Sequence, residues 1–183
     1  MKKLHFCCGD IYLQDYINCD IGGIILKGNH PNPTTLDKYF KDRKINKKQL
    51  TIIDKKFNLL KIPWKFKDNS IEEVVMISAI EHFTKKQANI IIGEIKRILK
   101  PKGRLIIDFP DLKENIKLYY KTNTEWCMEL IYCNQKNLYS MHHWGYSFET
   151  FKKLLGSGWK SIEKKTVVKH SYPMTGVMGV KNE

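Results

Sequence analysis

The 183-residue sequence predicts a doubly wound, mostly parallel α/β sheet in a single domain. Three observations carry that prediction. Short β-branched runs alternate with helical patterns along the chain. The run near 71–78 is β-branched and largely apolar, as expected of a strand covered on both faces. The residues just after successive runs are Gly, Asp, Ser, Glu and His, and sheets of this kind bind ligands beyond the carboxyl ends of their strands.

Leu4 to Phe6 is the first run and ends in Cys7-Cys8-Gly9-Asp10. Tyr16 to Ile21 is the second, and Leu50 to Ile53 is expected to be the third. Between them, Gly28-Asn29-His30-Pro31-Asn32-Pro33 reads as a loop, and Thr34 or Thr35 can cap a short helix around 36–40. Ile71 to Ser78 predicts a buried central strand after the turn Lys67-Asp68-Asn69-Ser70. Lys85 to Leu99 is the clearest helix: Ile91, Ile95, Ile98 and Leu99 form its apolar stripe, Thr84 its N-cap, and Pro101-Lys102-Gly103 its stop. Arg104 to Phe109 follows as a strand broken by Pro110-Asp111. Residues 112–138 predict a helical stretch with Leu112, Ile116 and Tyr119 on one face. Ser147 opens a further helix through Leu155, although Glu149 falls one residue short of a capping box. Trp159 to Val168 and Met174 to Val180 are expected to close the chain as strands.

Composition narrows the function. The formal net charge is +13, yet only Arg43, Arg97 and Arg104 among the 32 basic residues are arginine. Nucleic-acid sites draw heavily on the planar arginine fork, so a dedicated nucleic-acid surface is not the favoured reading. Five cysteines with no C-x-x-C pair predict reduced thiols and no zinc site of that pattern. No apolar stretch approaches the roughly 20 residues of a membrane span, and the N-terminus lacks the pattern of a secretory leader. The expected location is the cytoplasm.

Taken together, the motifs resemble the class I S-adenosylmethionine-dependent methyltransferases, in particular small members with a Leu-x-Leu-Gly-Cys-Gly start. Leu4-His5-Phe6-Cys7-Cys8-Gly9-Asp10 is similar to that first motif, and Tyr16-Ile17-Asn18-Cys19-Asp20-Ile21 to the second-strand pattern. Ile62 to Ile71 resembles the stretch that leads into strand four, and Ser78-Ala79-Ile80-Glu81-His82-Phe83 the Leu-Glu-His-Phe signature. Glu94 to Gly103 resembles the family's Arg-Val-Leu-Lys-Pro-Gly-Gly helix exit. Pro110-Asp111-Leu112 and the stretch from His143 to Trp159 fit as well. The order of the motifs, over nearly the whole chain, makes the signal specific.

The resemblance implies a Rossmann-like seven-stranded sheet, mostly parallel with an antiparallel C-terminal strand, and S-adenosyl-L-methionine as cofactor. It places the cofactor against Cys7, Cys8, Gly9, Asp10, Asp20, Ile21, Asn58, Leu59, Ser78, Ala79, Glu81 and His82. Gly9 would let the backbone pass close to the ligand. Asp20 would accept from the ribose hydroxyls, and the Asn58 side-chain oxygen would meet the adenine amino group. Methyl transfer to a hydroxyl benefits from a base near neutrality. His143, Asp111 and His82 are the candidates, with His142 behind them; His143 is favoured because it precedes a helix next to Trp144. The implied reaction is methyl transfer to a small-molecule acceptor, in particular a sugar or glycan-precursor hydroxyl, with an acidic acceptor suited to the positive charge. The alternatives are a nucleic-acid methyltransferase and a degenerate cofactor-binding or regulatory protein. The chain departs from the pattern in three ways. Cys7 stands where the first glycine is usual, the helix after the first motif must be very short or absent, and no N-terminal helix precedes the first strand. Residues 24–50 and 112–145 are therefore expected to be the lid and substrate elements.

Overall fold

The structure, a computed structural model, describes residues 2–41, 50–165 and 172–183. Seven strands form one sheet: β1 (Lys3–Phe6), β2 (Ile17–Asp20), β3 (Lys55–Lys56), β4 (Ile71–Ile77), β5 (Leu99–Pro110), β6 (Trp159–Lys165) and β7 (Met174–Lys181). Their order is β3-β2-β1-β4-β5-β7-β6. β1 to β5 pair in parallel, and β7 runs antiparallel to both β5 and β6. The strand order reverses between β1 and β4, which pair from Lys3 with Glu73 to Phe6 with Met76. That reversal opens a crevice above the carboxyl ends of these two strands.

Strand periodicity divides the core. Leu4, Phe6, Val74, Met76, Leu105 and Ile107 point to one face. There they meet Ile91, Ile95 and Ile98 of α2 (Lys85–Ile98) and Phe151 and Leu155 of α5 (Phe148–Leu155). The intervening residues Val75, Ile77 and Ile106 meet Leu13 and the Tyr39–Phe40 pair of α1 (Leu36–Lys41) on the other face. A strand buried on both sides needs apolar residues at successive positions, and β4 has that pattern from Val74 to Ile77.

The capping chemistry read from the sequence is present. Thr84 and Gln87 form a reciprocal box at the start of α2, and the Thr35 hydroxyl accepts the Lys38 N–H at 3.2 Å. At α5, Thr150 takes the place that Glu149 misses and closes a box with Ser147. The segment from Cys7 to Tyr16 contains no helix, in line with its length.

Four expectations are corrected. Leu50 to Ile53 is not the third strand: Thr51 and Ile53 bond to Ile24, and β3 forms two residues later against Cys19 and Asp20. β5 begins at Leu99 because Leu99 already pairs with Ile71. Gly103 permits the irregularity that follows, since a Cβ there would sit 2.8 Å from the Lys100 carbonyl oxygen. The stretch 112–138 is two helices, α3 (Leu112–Thr122) and α4 (Trp126–Tyr132), then a 3-10 turn at Leu138–Ser140. Asn123 ends α3 in the left-handed region, which asparagine tolerates. Asn115, not Ile116, is the buried residue of α3, and Ile116 is 39% exposed. Positions 166–168 of the expected strand 159–168 lie outside the described residues, as do 42–49 of the expected 24–50 element. Among the described residues, no helix is long and apolar enough to cross a membrane.

Candidate functional site

The crevice holds a cavity of about 380 Å³, within the size range of small-molecule sites. Cys7 from the end of β1 and Asp20 and Ile21 from the end of β2 line it. Phe57, Asn58, Leu59 and Leu60 form a second wall, and Ser78 and Ala79 after β4 form a third. His82, Phe83 and Gln87 continue towards α2, while Leu138, Tyr139 and His143 stand at the outer end.

Two of its lining residues, Cys7 (φ 51) and Ser78 (φ 44), adopt the left-handed region, as does Gly9 (φ 53) in the loop after Cys7. Such conformations cost energy for residues with a Cβ and concentrate at ligand sites. Asp108, from the end of β5, holds the Ser78 turn: its Oδ1 accepts the Ser78 N–H at 2.8 Å, and its Oδ2 accepts the Tyr39 hydroxyl at 3.1 Å. Asp20 braces the first loop, accepting the Gly9 N–H at 3.0 Å and the Gly22 N–H at 3.3 Å. The space around a Cβ added at Gly9 is open to 4 Å. Open space at Gly9, a carboxylate at the end of β2 and apolar walls from Phe57 to Leu60 fit S-adenosylmethionine, whose ribose diol donates hydrogen bonds and whose adenine is flat and largely apolar.

The cavity brings together Cys7, Asp20, Ile21, Asn58, Leu59, Ser78, Ala79, His82 and His143 of the expected residues. Cys8, Gly9, Asp10, Glu81 and Asp111 do not line it. Cys8 is buried beneath the loop and Asp10 is exposed. Asp111 is 3% exposed and its carboxylate is engaged: Oδ1 caps α3 at the Glu114 N–H, and Oδ2 accepts the Thr175 hydroxyl at 2.6 Å. Asp111 thus caps α3 and stands apart from the cavity lining, where a base was expected. The Asn58 oxygen already accepts the Leu60 N–H at 2.9 Å, so the group expected to meet adenine is partly occupied.

Two of the lining residues are histidines, His82 and His143. His143 is fixed by its backbone, which donates to the Glu81 carbonyl at 2.8 Å. Its Nε2 faces the Leu138 carbonyl at 3.4 Å; a carbonyl only accepts, so the proton belongs on Nε2 and the lone pair on Nδ1. His82 donates from Nδ1 to the Met141 carbonyl at 3.0 Å, and its ring meets that of His142 edge-on at 4.8 Å. Burial lowers the pKa of both, that of His142 to about 4, so both imidazoles are neutral at pH 7. Glu81 lies beneath them, 3% exposed, and burial raises its carboxyl to about 8. Burial also pushes the Cys7 and Cys8 thiols up, which keeps them protonated.

Sequence reasoning missed Phe57, Leu60, Phe83, Gln87, Leu138, Tyr139 and Asp108. Phe57 and Leu60 flank residues already singled out, and the Asp108 carboxylate at the end of an apolar strand was a readable signal. Leu138 and Tyr139 reach the cavity only through the chain reversal after α4.

The family described as a methyltransferase domain matches residues 4–107. No curated protein matches the chain. Solved structures with similar folds include an S-adenosylmethionine-dependent methyltransferase from Methanosarcina mazei, 17% identical, with a TM-score of 0.57 over 99% of this chain and 92% of that one. A possible histamine N-methyltransferase from Thermotoga maritima is 15% identical, with a TM-score of 0.52 over 99% and 82%. The S-adenosylmethionine-dependent methyltransferase SibL is 11% identical, with a TM-score of 0.57 over 100% of this chain and 50% of that one. The chain thus spans about half of SibL and most of the other two.

Proposed function

The chain belongs to the class I S-adenosylmethionine-dependent methyltransferases, and on that premise we propose that it methylates a hydroxyl of a small, acidic acceptor such as a sugar or glycan precursor. The observation that carries the proposal is one cavity lined by Cys7, Asp20 and Ser78 at one end and by His143 and Tyr139 at the other. Asp20 would hold the ribose diol, and Phe57 to Leu60 the adenine. When bound, the cofactor supplies an electrophilic methyl group on a sulfonium. His143 would take the acceptor's hydroxyl proton on Nδ1. Tyr139 is 74% exposed at the mouth, and its ring offers a flat apolar face of the kind sugars pack against. An acidic acceptor is supported by Lys85, whose ammonium lies 5.3 Å from the centre of the Trp144 ring beside His143. Residues 112–145 would act as the substrate element, a reading supported by the exposed Tyr120, Trp126, Tyr132 and Leu138.

The test is release of S-adenosylhomocysteine across a panel of hydroxyl and amine acceptors. His143→Ala is expected to lower kcat on the hydroxyl acceptor about 100-fold or more, the range of general-base catalysis, with cofactor affinity unchanged. Asp20→Ala is expected to weaken cofactor affinity about tenfold, the loss of one to two hydrogen bonds. Equal turnover by wild type and His143→Ala would exclude His143 as the base.

A further inference from the structure

Beneath the acceptor end lies a group of side chains that the methyl-transfer reading does not use. One ring nitrogen each of His82 and His142 and a carboxylate oxygen of Glu81 lie within 4.8 Å of one another. Two imidazoles and a carboxylate are the donor set that zinc takes in its three-ligand sites, with the fourth position left open. The Glu81 carboxylate adds a second observation: it is 97% buried, and its Oε2 has no hydrogen-bond partner. A buried carboxylate oxygen without a donor costs free energy unless something else occupies its lone pairs. The hydrogen bond from His82 Nδ1 to the Met141 carbonyl is the contact a metal-bound imidazole makes on its other nitrogen, and it leaves Nε2 as the coordinating atom.

We infer that Glu81, His82 and His142 form a site for one divalent zinc ion in the wall of the acceptor cavity. Tetrahedral zinc holds its ligand atoms roughly 3.3 Å apart. The present spacing, within 4.8 Å, would have to close towards that value as the ion binds. The site would tie the 3-10 turn Ile80–His82 to the segment carrying His142 and His143, two pieces of chain already joined by the Glu81 carbonyl. Of the three, His82 lines the cavity, so a fourth position open on its side would face the acceptor. If the proposed acceptor is correct, its hydroxyl would occupy that position, be acidified by the ion and release its proton to His143. Metal binding itself does not depend on that reading.

Calorimetry with zinc chloride on the full chain, without cofactor or acceptor, tests the site directly. One ion per chain is expected to bind at micromolar or better affinity. His142→Ala and Glu81→Gln should each lower that affinity at least 100-fold, whereas His30→Ala should leave it unchanged. Cobalt(II) substitution reads the ligands independently of affinity. A ligand-field spectrum lacking thiolate charge transfer is expected, and a thiolate band would reassign the ion to cysteine and end the proposal. Full zinc affinity in His142→Ala, or no binding by wild type, would also end it. The melting temperature of each variant without metal, with and without S-adenosylhomocysteine, shows that it is folded. A cofactor-induced rise alongside absent zinc binding rejects the metal site and leaves the methyltransferase reading intact.

Discussion

Cys7 shows how one residue can carry both the likeness to its family and the departure from it. It stands at the end of β1 where the family's first motif usually has glycine, and its backbone adopts the conformation that glycine favours, with φ at 51. A left-handed residue with a Cβ costs about 1–2 kcal/mol, and glycine's greater unfolded freedom returns about 0.5–1 of that. Cys7→Gly is therefore expected to stabilise the fold by about 0.5 kcal/mol in urea unfolding. Because Cys7 lines the cavity, the same change should tighten S-adenosylhomocysteine binding several-fold by calorimetry. An unchanged affinity would place the sulfur outside the ligand's space. Sequence comparison exposed the unusual residue, but only the backbone conformation shows that the loop kept its shape around it.

At the scale of elements, the loop between β3 and β4 owes its position to α2. Arg97 donates to both oxygens of Glu94 at 2.8 Å, to Asp68 at 2.6 Å, and to the carbonyls of Trp64 and Phe66 at 3.1 and 2.9 Å. Glu94 in turn accepts the Trp64 N–H. Phe57 packs against both Trp64 and Phe66, so the clamp reaches the Phe57–Leu60 wall of the cavity through aromatic contact. Arg97→Ala should cost about 2–3 kcal/mol, the range for hydrogen bonds to charged groups left unmade. It should also weaken cofactor binding although no Arg97 atom lines the cavity. Arg97→Lys is expected to recover little of either, since one ammonium cannot serve this planar set of acceptors. A urea titration paired with calorimetry checks both, and wild-type affinity in Arg97→Ala would uncouple the clamp from the site. The stretch from Ile62 to Ile71 was recognisable in the sequence. Its anchor was not, because Arg97 reads there only as part of a helix exit.

The whole molecule depends on pH through groups the sheet encloses. His5 in β1 is fully buried, bonds Asn18 at 3.0 Å, and has its pKa lowered by burial to about 4 against 6.5 unfolded. Its folded value is depressed, so the unfolded chain binds the proton first. The stability it contributes is full above pH 6.5 and is lost as pH falls towards 4. Between pH 7 and pH 5 that loss comes to about 2 kcal/mol. Glu81 acts in the opposite direction: its raised carboxyl is tolerated below pH 4.5 and increasingly costly as pH rises towards 8. Comparing wild type with His5→Gln at the two pH values isolates the histidine. The stability gap between them should be about 2 kcal/mol smaller at pH 5, and a constant gap would mean that His5 titrates alike in the folded and unfolded chain. The +13 charge of the chain meets a cavity whose acidic group is Asp20, so the charge describes the molecule's outer field and not its cofactor site.

The sequence by itself determined the alternation of strands and helices, the start of α2 at Thr84, the central place of Ile71–Ile77, and the family, because these are written in local periodicity, capping residues and motif order. It also named most of the residues at the strand ends, since a parallel sheet delivers them to one rim whatever the details. The tertiary structure alone decided that Asp111 caps a helix, that Asp108 holds the Ser78 turn, and that Thr51 and Ile53 pair with Ile24. It alone decided that Glu81, His82 and His142 meet. Each of these depends on contacts between residues distant in the chain or on which of two nearby acceptors a donor reaches. Periodicity carries no record of either.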